Sequence, residues 1–195
     1  MSFGGYVLVG GKSSRFGRDK ALLEAPAGTL ASRVAHAVRA AAGDAVLVGD
    51  PTKYSALGFR VIPDAVNDAG PLGGILAALE DSSSNWNLVT ACDMPGIHSG
   101  FLRYLLTRAS EFEGDIAMPL DISGRPQPLC AAYRRRAASA IRRSIHAGIL
   151  KITSAFEGLR VLEVRAKEFA EFDLDGRLFA NVNTEEEARA AGLLA

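Results

Sequence analysis

The residues best suited to chemistry lie in one polar stretch near the start of the chain. An apolar segment, residues 6–9, leads into residues 10–20, which contain three glycines, two serines and four cations, with Asp19 as the single acid. Glycine lets backbone N–H groups turn toward a ligand, and consecutive amides that face inward form a site for an anion. Arg15 and Lys20 add full positive charges that can reach phosphate oxygens. The pattern predicts capture of a polyphosphate where the first strand ends.

Two common phosphate-binding motifs do not match this stretch. The P-loop requires G-x-x-x-x-G-K-[ST], and although Gly11, Lys12 and Ser13 fit its end, its first glycine would fall on Tyr6. The dinucleotide fingerprint G-x-G-x-x-G has no glycine where it needs one. A flexible basic surface loop remains the alternative. A glycine-rich turn directly after a first strand is, however, where α/β proteins bind ligands.

Length, charge and composition limit the class of protein. The chain has 195 residues, with 22 Lys plus Arg and 22 Asp plus Glu, so its formal net charge is zero. Nucleic-acid and membrane-surface binding usually require a basic excess, so neither partner is expected. No basic region followed by an apolar core opens the chain, and no apolar run reaches the roughly 20 residues of a membrane span. We expect one domain, residues 1–195, in the cytoplasm.

Strand-like and helix-like segments alternate along the chain. Alternation of this kind predicts βαβ units and a largely parallel sheet. The predicted strands are residues 6–9, 45–48, 58–62, 86–91, 115–119, 129–133 and 159–164. Helices are expected over residues 30–41, 75–79, 99–107, 135–147, 152–156 and 184–191, with a glycine-rich turn at residues 70–74 and a polar turn at residues 121–128.

Polar residues follow three of these strands. The glycine-rich stretch follows the first strand, Asp64 follows residues 58–62, and Asp93 follows residues 86–91. Parallel sheets bind ligands at the carboxyl ends of their strands, so these residues are expected to form one site. A carboxylate beside a phosphate loop suits Mg²⁺, which predicts Asp93 as a magnesium ligand. Asp also starts turns, which is the alternative for Asp64 and Asp93.

Residues 10–23 read G-G-x-S-x-R-x-G-x-D-K-A-L-L and resemble the signature of the molybdenum cofactor guanylyltransferases, a family of nucleotidyltransferases. The resemblance implies an α/β, Rossmann-like three-layer nucleotidyltransferase fold with a mostly parallel central sheet. It also implies that the loop holds GTP. The loop residues concerned are Leu8, Val9, Gly10, Gly11, Arg15, Gly17 and Lys20.

Two further motifs of the resemblance concern the nucleotide and the metal. Residues 92–95 match the family's C-D-x-P, which assigns the metal to Asp93, and residues 61–64 match V-x-x-D, which implies that Asp64 contacts the nucleotide through its ribose or a metal-bound water. Residues 70–74 resemble G-P-L-x-G, which lies against the nucleoside. The residues implied there are Gly70, Leu72 and Gly74.

The last two motifs concern the acceptor. Residues 125–129 read R-P-Q-P-L, which in the family lies where the acceptor binds, and the two prolines stiffen the positions of Arg125 and Gln127. Asn181 and Asn183 match N-x-N-T, which reaches the pterin, and the asparagine amide supplies both donors and acceptors for such a ring. Turn-forming asparagines before a helix are the alternative.

The chain departs from the family pattern at several positions. Val9 replaces the usual Ala and Phe16 the usual Met, both apolar exchanges. Gly49 and Asp50 stand where the family often has Asn after the strand, which leaves one base or ribose contact open. Residues 147–151 resemble A-G-E-R-R but keep a cation only at Lys151.

The resemblance implies transfer of GMP from GTP to molybdopterin, with Mg²⁺ as cofactor and release of pyrophosphate. Arg15, Lys20 and Asp93 are the implied catalytic residues. Transient contact with enzymes that insert molybdenum or accept the finished cofactor is also implied. The alternatives are a relative that uses CTP on a pterin or an NTP on a sugar phosphate, and an inactive nucleotide-binding regulatory protein. Gly-Gly after the first strand, with G-P-L-G and R-P-Q-P, favours the guanylyltransferases over their cytidylyltransferase relatives.

Overall fold

A central sheet of seven strands organises the chain. The structure is a computed structural model that describes residues 2–10, 19–25, 28–182 and 184–190. The sheet consists of β1 (Phe3–Leu8), β4 (Val46–Val48), β5 (Arg60–Ile62), β6 (Trp86–Ala91), β7 (Ile116–Pro119), β8 (Cys130–Arg134) and β9 (Val161–Val164). A separate two-stranded hairpin pairs β2 (Glu24–Ala25) with β3 (Gly28–Thr29).

The strands lie in the order β5-β4-β1-β6-β8-β7-β9. Pairing is parallel between β1 and β4, β1 and β6, β4 and β5, and β7 and β9. Strand β8 alone runs antiparallel to its neighbours β6 and β7. The predicted mostly parallel sheet is therefore confirmed, and the other six strands all end at one edge, which we call the carboxyl edge.

Helices cover both faces of the sheet. The helices are α1 (Leu30–Ala42), α2 (Pro51–Tyr54), α3 (Pro71–Asp81), α4 (Ser99–Ser110), α5 (Ala138–His146) and α6 (Glu185–Ala190). One buried cluster joins α1 and α4 to the sheet, and the other joins α3 and α5 to it. Neighbouring β1 residues divide between the clusters, Val7 in the first and Tyr6 in the second, as expected when successive strand residues point to opposite faces. Three layers result, as the resemblance implied.

Short 3-10 turns link these elements. Their bounds are Lys20–Leu22, Ser55–Leu57, Arg135–Ala137, Ile152–Phe156, Ala166–Glu168 and Ala170–Phe172. None of the helices in the described ranges is both long and apolar enough to cross a membrane.

Most predicted elements are present, and the differences have physical causes. Strand β1 begins at Phe3 rather than at residue 6 because its two glycines are packing positions in a strand and not loop residues. A Cβ at Gly5 would lie 2.3 Å from the Asp44 carbonyl oxygen and 2.6 Å from Val38 Cγ1. Glycine at this position therefore allows α1 to approach the sheet closely.

Helix α3 is also longer than predicted, because the supposed turn at residues 70–74 forms its first turn. Pro71 stands at the start of the helix, where its missing N–H has no cost. Gly73 lies inside the helix, and a Cβ at this position would lie 2.6 Å from the Val66 carbonyl oxygen. Glycine is therefore needed there for α3 to pack so closely. The helix therefore brings its N-terminus close to the carboxyl edge.

Gly49 closes the sheet next to that edge. Its amide donates to the Ile62 carbonyl at 2.8 Å, and a Cβ there would lie 2.0 Å from the Val9 carbonyl oxygen. Gly49→Ala is expected to lower the free energy of unfolding by about 1–3 kcal/mol, as overpacking typically does, measured by urea denaturation.

Gly100→Ala is the matched control for that substitution. Gly100 lies in α4, and the nearest neighbour of a Cβ there is the exposed His98 ring at 3.2 Å. An alanine in this helix is expected to be neutral or stabilising by up to about 1 kcal/mol. Equal losses in the two variants would contradict the close packing of Gly49.

Candidate active site

The site is built where β1 and β6 end side by side. The Cys92 amide donates to the Leu8 carbonyl at 3.1 Å, one step beyond the last paired residues of the two strands. Cys92 is buried at this junction, and Asp93 follows it directly at the carboxyl edge. The pairing of β1 with β6 therefore delivers Asp93 next to the segment that follows the first strand.

Lys20 and Asp93 meet at this edge. The Lys20 ammonium donates to Asp93 Oδ2 at 2.7 Å across 73 positions of sequence. Their side chains are 18% and 20% exposed, so both are accessible to a ligand but shielded enough for their charges to interact. A cation and a carboxylate that belong to separate motifs are thus in direct contact.

Lys20 reaches this position from a short helical turn. Asp19 begins the turn, and its Oδ1 accepts from the Ala21 amide at 3.0 Å. Backbone bonds from Leu22 to Asp19 and from Leu23 to Lys20 close it. The cation therefore stands on a defined turn that follows the glycine-rich stretch.

Asp64 lies against the first turn of α3. A Cβ at Gly74 would be 2.9 Å from Leu8 Cδ2 and 3.1 Å from Asp64 Oδ1, so only glycine lets β1, α3 and Asp64 approach so closely. Burial of the carboxyl raises the pKa of Asp64, although a bond from its own backbone amide opposes the shift. Raised carboxyl pKa values are common at functional sites, where charge is kept ready for a ligand.

Gly70 has a backbone conformation that requires glycine. It caps the N-terminus of α3 with φ 57° and ψ −150°, a region essentially restricted to glycine. Gly70 is exposed, whereas Leu72 is completely buried in the core between α3 and the sheet. The Leu72 side chain therefore packs α3 against the sheet, and the contact of this turn with the nucleoside stays a prediction.

The residues after β1 likewise comprise one buried residue, Val9, and one exposed glycine, Gly10. Gly10 is exposed and has φ 136°, again in the range that favours glycine. Val9 is 1% exposed and its amide donates to the Val48 carbonyl at 2.9 Å. Val9 is therefore a core residue that fixes the exit of β1, and Gly10 is the first position at which a ligand can approach the backbone.

Asp121 holds the predicted acceptor segment in shape. Its Oδ1 accepts from the Ser123 and Arg125 amides, each at 2.9 Å, and its Oδ2 accepts from Gln127 Nε2 at 3.0 Å. Burial tends to raise the pKa of Asp121, but hydrogen bonds from the Ser123 hydroxyl and from the Arg125 and Ser123 amides outweigh it and hold the pKa below its usual range. The Gln127 amide is thus fixed by Asp121, and the Arg125 side chain is exposed.

This segment joins the same edge of the sheet. Because β8 runs antiparallel, the connection from β7 to β8 returns along the carboxyl edge. The Ala91 amide donates to the Leu129 carbonyl at 2.7 Å, which fixes the end of this connection beside the end of β6. Arg125 and Gln127 therefore lie in the loop that adjoins the strand carrying Asp93.

The C-terminal segment reaches the site as well. The Val182 amide donates to the Asp93 carbonyl at 2.8 Å, and Val182 packs with Leu23 and Leu30 in a small buried cluster. Asn181 is exposed beside this contact. The structure thus brings together Lys20, Asp93 and the segment that carries Asn181.

Four predicted site residues cannot be placed. Gly11, Arg15, Gly17 and Asn183 lie outside the described residues. Their assignments stay predictions.

Sequence reasoning missed three residues that support the site. The motif gives Asp19 no role of its own and the sequence does not single out Tyr54, yet the Tyr54 hydroxyl donates to Asp19 Oδ2 at 2.7 Å. The sequence marks Asp121 only as the start of a polar turn. For Asp121 the order Asp-x-Ser-Gly was an available signal, because Asp side chains accept from amides two residues on, whereas nothing in the sequence pairs Tyr54 with Asp19.

The described residues contain no group of three or more His, Cys, Asp or Glu side chains arranged to hold a metal ion. Mg²⁺ usually takes one or two carboxylates and completes its coordination with waters and substrate phosphates. The carboxylate of Asp93, partly exposed at the edge, has the hard oxygen donors that such an ion prefers. The residues present therefore fit a hard divalent cation such as Mg²⁺.

Asp64 is an exposed residue whose carboxyl is partly desolvated against α3, which predicts a small cost to stability. Burial raises the pKa of Asp64 in the folded protein. The protonated carboxyl therefore contributes its full stability below the unfolded pKa of about 3.9, and this contribution is lost as the pH rises through the folded pKa. Asp64→Asn is therefore expected to raise the free energy of unfolding at pH 7 by up to about 0.5 kcal/mol. The gain should vanish below about pH 4, as measured by urea denaturation across the pH range.

Asp121→Asn is the control of opposite sign. The pKa of Asp121 is lowered, so its carboxylate stabilises the fold above the unfolded pKa, and the substitution should destabilise the protein at pH 7. A destabilising Asp64→Asn at pH 7 would contradict the interpretation of Asp64 as a charge kept for a ligand.

Comparisons with known proteins agree with this geometry. The family described as MobA-like NTP transferase domain matches residues 5–164. A probable molybdenum cofactor guanylyltransferase of Pelotomaculum thermopropionicum is 34% identical over 98% of this chain and 92% of its own. The molybdenum cofactor guanylyltransferase of Desulfosudis oleivorans is 31% identical over 96% and 93%.

A solved structure shows the same fold. The crystal structure of molybdopterin-guanine dinucleotide biosynthesis protein A from Archaeoglobus fulgidus superposes with a TM-score of 0.83 at 28% identity, covering 96% of each chain. The resemblance noted in the glycine-rich stretch thus extends over nearly the whole molecule, and the chain belongs to the MobA-like NTP transferase family of nucleotidyltransferases.

Proposed function

We propose that this protein is a Mg²⁺-dependent guanylyltransferase that transfers GMP from GTP to molybdopterin and releases pyrophosphate. The contact between Lys20 and Asp93 at the carboxyl edge carries the proposal, because it joins the phosphate-binding segment to the residue expected to hold the metal. The names of relatives aligned over more than nine-tenths of the chain support the choice of substrates.

The reaction is a displacement at the α-phosphorus of GTP. A terminal phosphate oxygen of molybdopterin forms a bond to that phosphorus, and the bond from phosphorus to the oxygen bridging the α- and β-phosphates breaks. The nucleophile is already an anion at neutral pH, so no side chain has to remove a proton. Catalysis then consists of positioning and of stabilising negative charge.

The residues of the site divide these tasks. Lys20 is proposed to supply a positive charge to the phosphate oxygens, and the backbone amides from Gly10 onward are proposed to donate to them. Asp93 would hold the magnesium ion, which when bound neutralises charge on the phosphates. Arg15 is proposed to assist Lys20, and Gly11 and Gly17 to complete the loop.

The other residues are proposed to bind the two substrates. Asp64 and the first turn of α3 lie on the nucleotide side, beside Leu8, Gly70 and Gly74. Arg125 and Gln127, with Asn181 and Asn183, are proposed to bind the acceptor. Asp64 follows β5, whereas Arg125 and Gln127 precede β8, and these two strands lie on opposite sides of β6.

Removal of either member of the central pair should abolish most of the activity. Lys20→Ala and Asp93→Ala are each expected to lower kcat by about 10²–10³-fold, because each removes a charge that acts on the phosphates. Pyrophosphate release with GTP and molybdopterin measures the effect. Lys53→Ala, which removes an exposed cation from α2, should leave the rate unchanged, and near-normal rates in both site variants would refute the assignment.

Base selection is tested by nucleotide titration. Thermal-shift titration with GTP, CTP, ATP and UTP in the presence of Mg²⁺ should give the largest stabilisation with GTP, since at equal concentration the ligand that binds the folded protein most tightly stabilises it most. Tightest binding of a pyrimidine nucleotide would favour a cytidylyltransferase instead. Binding of GTP without pyrophosphate release would identify a regulatory nucleotide-binding protein.

A further inference from the structure

Tyr54 is a buried residue whose hydroxyl reaches the phosphate-binding segment. It ends α2, and the residue is 1% exposed. Its ring packs beside Gly49, where a Cβ would lie 3.1 Å from Cε2, and its hydroxyl oxygen lies 4.0 Å from the position of a Cβ on Gly10. The phenol is thus fixed by the core and points to the place where β1 ends.

The hydroxyl makes one strong contact there. It donates to Asp19 Oδ2 at 2.7 Å, across 35 positions of sequence. Burial raises the pKa of Tyr54, and the Asp19 carboxylate raises it further, so the phenol stays protonated and acts as the donor. Hydrogen bonds to a charged acceptor are stronger than those between neutral groups.

Asp19 links the Tyr54 hydroxyl to the turn that carries Lys20. One carboxylate oxygen accepts from Tyr54 and the other caps the turn through the Ala21 amide. Lys20 follows directly, and its ammonium contacts Asp93. The contact with the core residue Tyr54 therefore fixes the carboxylate at which the turn of Lys20 begins.

We infer that Tyr54 is a positioning residue for the transfer reaction, which acts through Asp19 to hold the Lys20 ammonium where the phosphates of the nucleotide are bound. The inference rests on the proposed function for its catalytic consequence. Small misplacements of a charged group cost large factors in rate. Tyr54 therefore contributes to turnover without touching substrate.

Tyr54→Phe removes the hydroxyl and keeps the ring in the core. Its matched control is Tyr6→Phe, because Tyr6 is also buried, at 3% exposure, and donates to Asp81 Oδ2 at 2.8 Å at the far end of α3. Both variants lose a tyrosine–aspartate hydrogen bond of similar geometry. Only Tyr54→Phe loses one that supports the site.

Amide hydrogen exchange tests the structural step without any turnover. Tyr54→Phe is expected to speed exchange of the Ala21, Leu22 and Leu23 amides by about threefold or more, since a lost hydrogen bond to a charged group loosens the turn. Tyr6→Phe should leave these three amides at their wild-type rates. Unchanged exchange in Tyr54→Phe, or an equal increase in Tyr6→Phe, would overturn the inference.

Kinetics tests the consequence for Lys20. Tyr54→Phe is expected to lower kcat by about 3- to 30-fold, because it misplaces the Lys20 ammonium without removing its charge, with a smaller change in KM for GTP. In a Lys20→Met background the same substitution should change the residual kcat by less than about twofold, because the group it positions is gone. An equal loss in both backgrounds would show that Tyr54 does not act through Lys20.

A conservative variant separates positioning from charge. Asp19→Asn keeps an oxygen for the Ala21 amide and an amide group that can donate to the Tyr54 oxygen, so it should retain more activity than Asp19→Ala. Equal activities of the two variants would contradict the proposed link. If wild-type protein shows no turnover with GTP and molybdopterin, the proposed function fails, and the exchange measurement still decides the role of Tyr54.

Discussion

The parallel pairing of β1 with β6 is the constraint on which the site depends. It runs from Phe3 opposite Trp86 to Leu8 opposite Ala91, and the Cys92 amide extends it by one more bond to Leu8. Asp93 is placed by this ladder and by its own carbonyl, which accepts from Val182. The ends of β1 and β6 therefore position Asp93, and the turn of Lys20 and the C-terminal segment both contact Asp93 there.

Close packing of glycines brings the helices to that edge. Gly5 allows α1 to cross β1, and Gly73 and Gly74 allow α3 to lie against Val66, Leu8 and Asp64. These glycines are interior residues of a strand and a helix, where glycine normally reduces stability by up to about 1 kcal/mol relative to alanine. A larger side chain at these positions would push α1 and α3 away from the sheet, so the lower intrinsic stability of glycine is offset by the close packing.

The fold and the centre of the site were predictable from sequence because their signals are local. Alternating apolar segments indicated the strands, and the residues just after them indicated Asp64 and Asp93. The extent of β1 and α3 was not predictable, because glycine has the same local signature in a turn as at a helix crossing, and only the packing partner distinguishes them. The contact between Tyr54 and Asp19 was hidden for a related reason, since 35 positions of sequence separate its two members. Leu72 belongs to a motif that the resemblance places against the nucleoside, but its side chain is buried in the core, which the motif alone does not indicate.

The single antiparallel strand gives the two halves of the site different freedom to change. Strands β5, β4, β1 and β6 form one continuous parallel unit, whereas β8 reverses direction and carries the loop organised by Asp121. Because that loop is stabilised largely by its own hydrogen bonds, its exposed side chains can be exchanged over evolution with little effect on the parallel unit. The hairpin of β7 and β8 can therefore vary in sequence and length while the ends of β1 and β6 keep their positions.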